Sequence, residues 1–237
     1  MAQFSGKKVL VVGGSSGIGE ATAKAFATQG ANVTIASRSA AKLKDAAARI
    51  GANTQTVVLD TVDAGAIDAF FASAGAFDHI VISAAQTSTG PIRQLTLDEA
   101  HASMESKFWG AYRIARAARF NEGASLTFVS GFLSIRPSKT SVLQGAINAA
   151  VEALARGLAL ELAPVRVNTV SPGLIATPLW EKLNDDARKA MYESAAARLP
   201  AQRVGEPEDV ANAVVYLAST PFATGSTVLI DGGGAII

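Results

Sequence analysis

The chain has 237 residues, with 21 Lys+Arg against 20 Asp+Glu, 2 His and no Cys, and 49% of it is hydrophobic. A charged fraction of 17% and a mean hydropathy of +0.26 leave ample material for a buried core and exclude global disorder. The net charge of +1 offers no long-range field to nucleic acid or an anionic membrane. Without Cys there is no disulfide, thiolate nucleophile or Cys-ligated zinc, and His79 and His101 alone are scant material for a metal site.

Met1 to Gly6, then Lys7, Lys8 and an apolar run ending at Gly13, are too short for a secretory signal. No apolar run long enough to span a bilayer follows, so a soluble cytoplasmic protein is expected. The predicted strands, in chain order, are Lys7–Val12, Asn32–Ala36, Thr54–Leu59, His79–Ile82, Ser125–Ser130, Val165–Val170 and Thr227–Ile230. Predicted helices fall between them at 17–29, 39–50, 63–74, 96–120, 141–163 and 206–219. This alternation argues for an α/β, doubly wound parallel sheet of Rossmann type, with helices on both faces. No linker or repeat interrupts it, so residues 1–237 read as a single domain. The least regular stretch, 174–203, carries Pro178, Trp180, Met191, Tyr192 and Pro200. It follows a strand end, where ligands sit in open α/β sheets, and is expected to form a substrate lid.

Directly after the first strand, Gly13-Gly14-Ser15-Ser16-Gly17-Ile18-Gly19 opens a helix. Gly13 suits a tight turn, Gly17 a close backbone approach to a pyrophosphate, and Gly19 close helix–strand packing. The helix start then offers N–H donors to phosphate. A plain glycine turn is the simpler alternative; the strand–turn–helix setting favours a dinucleotide. The second strand ends at Ser37-Arg38-Ser39, with a cation where an acid would select NAD, and this points to NADP. Arg38 as a solvated residue opening the next helix is the competing reading. Asp60, beside Thr61, can accept from an adenine amino group, while Asp63 suits a helix cap.

These residues, with Asn168 to Pro178, Arg203 to Ala211 and the closing Asp231-Gly232-Gly233, resemble the short-chain dehydrogenase/reductase family along the whole chain. The resemblance implies a seven-stranded parallel sheet, a nicotinamide cofactor, a small-molecule substrate and a homo-oligomer, tetramer or dimer. It also implies that Pro172, Gly173, Ile175 and Thr177 line the nicotinamide and pyrophosphate region. Ser83-Ala84-Ala85 stands where the family has the end of its Asn-Asn-Ala-Gly segment, and Asn148 takes the place of its cofactor-side Lys.

The family's Asn–Ser–Tyr–Lys set is replaced. Gln144 holds the Tyr position, Asn148 the Lys position, Gly131 the Ser position and Lys107 the Asn position. Gln can donate a hydrogen bond but cannot give up a proton near neutrality. Lys107 is therefore the candidate substitute acid, its pKa lowered if desolvated, with Ser130 and Gln144 orienting the substrate oxygen. Pairing of Lys107 with Glu105, or projection to solvent, is the alternative. Arg136 and Lys139 suit either an anionic substrate or a solvated loop.

Two functions follow from these residues. The first is an NADP(H)-dependent oxidoreductase acting on a small carbonyl, alcohol or activated alkene. The second is a catalytically silent NADP(H)-binding protein, a sensor or inactive oligomer partner. Restoring Gln144→Tyr with Asn148→Lys is expected to create carbonyl reduction if the site is otherwise intact. No basic patch or aromatic platform supports nucleic-acid binding, and no metal site is expected.

Overall fold

Burial on both faces dictates how the apolar strands are used. In the first strand, β1 (Lys8–Val12), Val9 and Val11 join one hydrophobic cluster while Leu10 and Val12 join the other. The computed structural model describes residues 2–237 and contains seven parallel strands in the order β3-β2-β1-β4-β5-β6-β7. Besides β1 these are β2 (Asn32–Ser37), β3 (Gln55–Val58), β4 (Phe77–Ile82), β5 (Phe120–Val129), β6 (Arg166–Pro172) and β7 (Thr227–Ile230). Helices α1 (Gly17–Thr28) and α2 (Ala40–Ile50) cover one face together with α8 (Pro207–Ser219), through Phe26, Leu43, Val210 and Val214. Helices α3 (Ala64–Ala74), α5 (Gly110–Ala117) and α6 (Val142–Glu161) cover the other through Phe71, Ile114 and Val151.

Local sequence sets the helix starts. Ser39 accepts from the Lys42 N–H at 3.3 Å to cap α2, and Asp63 accepts from the Ala66 N–H at 2.9 Å to cap α3. Thr96 and Glu99 form a capping box at the start of α4 (Leu97–Met104). At the far end of α8, the Arg166 guanidinium donates to the carbonyls of Leu217 and Ala218 in its last turn and of Ala223 beyond it.

Three expectations need correction. The single helix over 96–120 is instead α4, a π-helical turn over Glu105–Trp109, and α5 ending at Ala117. The wide turn leaves Gly110 against Thr61, where a Cβ would lie 2.8 Å from the Thr61 hydroxyl. The fifth strand begins at Phe120, not Ser125, because Phe77 N–H already bonds the Arg119 carbonyl and Phe77 pairs with Phe120. Within 174–203, residues Asp185–Arg198 form helix α7, started by Asn184 accepting from the Ala187 N–H. Elsewhere the boundaries shift by one or two residues, as terminal turns commonly do.

His79 is buried in β4 against the rings of Phe4 and Phe26, with Nδ1 2.8 Å from the Ser125 hydroxyl. Burial holds its pKa down, from 6.5 to about 4. The unfolded chain therefore binds this proton more readily. Stability from His79 is fully present above pH 6.5 and is lost as pH falls towards 4. The loss is about 3 kcal/mol at most. Denaturation across this range is expected to show a shallower acid slope for His79→Leu; an unchanged slope would show that His79 carries none of it.

Candidate active site

Reversal of strand order between β1 and β4 opens a crevice at the carboxyl ends of the strands. The glycine turn sits there. Gly13 has φ +91°, and a Cβ on it would lie 2.6 Å from the Ala84 nitrogen, so the turn packs directly on the end of β4. A Cβ on Gly19 would lie 2.1 Å from the Gly13 carbonyl oxygen, so glycine alone lets α1 approach the turn. Ser16 precedes α1 without spending its hydroxyl on a cap, while Ser15 and Ile18 are half-buried beside it. Gly17, at φ +53°, faces Thr177 at 3.3 Å from its Cβ position. The start of the 174–203 segment therefore lies over the turn.

Other candidate residues lie at or just beyond the carboxyl ends of the strands. Ser37, at the end of β2, keeps a buried hydroxyl without a protein partner. Arg38 reaches across to Gln86, donating to Oε1 at 2.8 Å. Ser39 is used as the α2 cap. Asp60 accepts from the Val62 N–H at 3.1 Å, which shapes its own loop, and Thr61 is buried beneath Arg113. Ser83 continues from β4, its N–H bonding the Val12 carbonyl, with Ala84 and Ala85 following. Pro172 ends β6; Gly173 abuts Asp231, and Ile175 bridges Gly205.

Deeper in, the π-helical turn delivers Lys107 into the interior, with only 8% of the residue exposed. Its ammonium donates to the Ser130 carbonyl at 2.7 Å and to Asn148 Oδ1 at 2.6 Å. Asn148 in turn donates from Nδ2 to the Gly131 carbonyl at 3.1 Å. Gly131 is required by this arrangement, since a Cβ there would lie 2.7 Å from Asn148 Nδ2. Burial lowers the Lys107 pKa from 10.5 to about 8, while the Glu152 charge opposes the fall. Glu105 does not pair with Lys107; its partner is Arg113.

The candidates are not all brought to one point. Ser130 supplies its backbone carbonyl to Lys107, but its hydroxyl turns inward and donates to Glu152 Oε1 at 2.7 Å. Asn148 is 1% exposed and bound to protein groups. Gln144 lies half-buried one helical turn before Asn148 on the same face of α6. Sequence reasoning missed Glu152, one turn beyond Asn148, and Gln86, the partner of Arg38. The spacing 144, 148, 152 was a signal for the first. Nothing local marks the second. Trp180 ties the start of the 174–203 segment to its own backbone, donating to the Ile175 carbonyl at 2.9 Å.

Among the described residues no helix is long and apolar enough to cross a membrane, and no group of His, Asp and Glu is placed to hold a metal ion. Residues 12–234 match the family described as Enoyl-(Acyl carrier protein) reductase. The chain is 32% identical over 254 residues to the short-chain dehydrogenase/reductase ATR9 of Stachybotrys chlorohalonatus, covering 100% of both. It is similar to a small-chain dehydrogenase solved in complex with NADPH, at 33% identity, TM-score 0.87, and 98% and 100% coverage of the two chains. It also resembles L-sorbose reductase from Gluconobacter frateurii, solved with NADPH and L-sorbose, at 27% identity and TM-score 0.90 over 100% of both chains. The chain belongs to the short-chain dehydrogenase/reductase family of oxidoreductases.

Proposed function

We propose that the protein is an NADP(H)-dependent oxidoreductase with an atypical active site, reducing a small carbonyl or activated alkene or oxidising the corresponding alcohol. The observation that carries this reading is the buried Lys107 ammonium against α6, hydrogen-bonded to Asn148, which stands at the position of the family's Lys. The residues present fit a dinucleotide. The side-chain-free turn at Gly13, Gly17 and Gly19 leaves backbone for the pyrophosphate, and Ser16 and the α1 N-terminus supply donors. The unpartnered Ser37 hydroxyl and Arg38 suit a 2′-phosphate; Asp60 and Thr61 suit the adenine side. Ser83, Ala84, Ala85, Pro172, Gly173, Ile175 and Thr177 would border the remainder.

When bound, the cofactor supplies the hydride that reaches the substrate carbon. Lys107 has three N–H donors, of which Ser130 and Asn148 engage two. The third is directed in this reading to the substrate oxygen. Transfer of its proton to the developing alkoxide gives the alcohol and leaves a neutral amine. With its pKa near 8, Lys107 gives up that proton far more readily than an exposed lysine. Gln144 orients the same oxygen through its amide, and residues 174–203 cover the substrate. Apolar side chains left exposed, among them Trp109, Tyr112, Leu160 and Leu229, support association as a dimer or tetramer. A cytoplasmic location accords with this reading.

Incubated with 4-deuterated NADPH and a pool of carbonyls and enones, the protein is expected to yield a deuterated product by mass spectrometry. Tight NADPH binding without transfer would favour the silent-binder alternative, which the inward-turned Ser130 hydroxyl also suits. Arg38→Ala is expected to weaken NADPH binding about 10–100-fold, from loss of one or two charge-assisted hydrogen bonds. NADH binding should change little in a parallel fluorescence titration; equal losses for both would remove Arg38 from the 2′-phosphate site.

A further inference from the structure

Lys107 and Glu152 are two of the few charged side chains buried in this fold, and one residue joins them. The Ser130 carbonyl accepts from Lys107 while the Ser130 hydroxyl donates to Glu152 Oε1. The same carboxylate oxygen accepts from Ser134 at 2.7 Å and Ser171 at 3.2 Å, so hydroxyls from β6 and from the loop after β5 converge on it. Glu152 also lies one α6 turn beyond Asn148, the side chain that holds the Lys107 ammonium. The other buried carboxylate, Asp78, is occupied at the opposite end of the sheet by Lys7 and the Lys8 N–H. On its own turn Lys107 has Glu105 nearby, but that charge is matched by Arg113.

We infer that Glu152 is a positioning residue that holds Lys107 in its protonated form, acting as the buried counter-charge through the Ser130–Asn148 frame. Three serine hydroxyls donate to one carboxylate oxygen and fix its place. Without it, burial alone acts on the lysine, and a larger fraction is neutral at physiological pH. The consequence for turnover rests on the proposed role of Lys107 as acid; the charge coupling itself does not.

The coupling is measured without any substrate. The lysine side-chain 13Cε resonance that disappears in Lys107→Met is followed with pH in the otherwise native protein and in Glu152→Gln. The midpoint, about 8 in the native chain, is expected to fall in Glu152→Gln, because the opposite charge that raises it is removed. Glu152→Asp, which keeps the charge, should stay closer to the native midpoint than Glu152→Gln. An unchanged midpoint in Glu152→Gln overturns the inference, even if deuteride transfer is observed. Should Glu152→Gln fail to fold, its combination with Lys107→Met decides. Charge coupling predicts that the double variant is more stable than Glu152→Gln alone; a packing role predicts that it is not.

Discussion

Lys107→Met is expected to lower hydride-coupled turnover about 10²–10⁴-fold, the usual cost of losing a positioned general acid, with NADPH affinity changed less than about threefold. Two features concentrate the effect on this residue. Gln144 cannot release a proton, and the Ser130 hydroxyl is committed to Glu152. Met retains the stem and its packing among the surrounding apolar groups but removes the ammonium. Lys107→Arg should not restore the rate, because a guanidinium stays protonated and its planar fork does not fit the two acceptors spaced for an ammonium. Single-turnover oxidation of NADPH fluorescence checks both. Native turnover in Lys107→Met would place the proton donor elsewhere.

The second large effect concerns placing at 144 and 148 the Tyr–Lys pair that the family resemblance implies. Gln144→Tyr with Asn148→Lys, attractive from sequence, is expected to fail as it stands. The new ammonium would arrive where Asn148 Oδ1 now receives Lys107 at 2.6 Å, replacing an acceptor with a like charge inside the fold. It would also surrender the bond from Asn148 to the Gly131 carbonyl. An uncompensated buried charge costs about 3–5 kcal/mol, or roughly 10 °C in Tm for a chain of this size. Adding Lys107→Asn should recover most of that loss by moving the single ammonium from the π-helical turn to α6. Only then can Gly131→Ser be accommodated, because in the native site its Cβ would lie 2.7 Å from Asn148 Nδ2. The fourfold exchange is expected to reduce simple carbonyls faster than the double variant by about 10²–10⁴-fold. Thermal melts and ketone-dependent NADPH oxidation test the two halves separately. A double variant as stable as the native chain would contradict the charge argument.

The features legible in sequence were those written in short stretches. A strand, a glycine turn and a helix start lie within Lys8–Gly19, so the turn at Gly13 could be read before its contact with Ala84 was known. Asp63 likewise sits three residues before the N–H group it caps, whereas Ser39, read as a cofactor contact, proves to cap α2. What escaped depends on distant partners. The π-helical turn that aims Lys107 inward accompanies the contact between Gly110 and Thr61, far apart in the chain. Glu152 carries the 144, 148, 152 spacing, but its partners Ser130, Ser134 and Ser171 meet it only in the fold. The α7 helix lacks a clear apolar stripe and buries only Ala195, so periodicity gave no sign of it.

The pH dependence of hydride transfer in a single turnover tests the central claim most directly, because it reads the protonation of Lys107 during reduction. Lys107 donates only as an ammonium, so the reductive rate should be level below its pKa of about 8 and fall as pH rises above it, by about tenfold per unit. Lys107→Met should abolish that break. A rate that stays level from pH 7 to well above 8 in the native protein would contradict proton donation by Lys107.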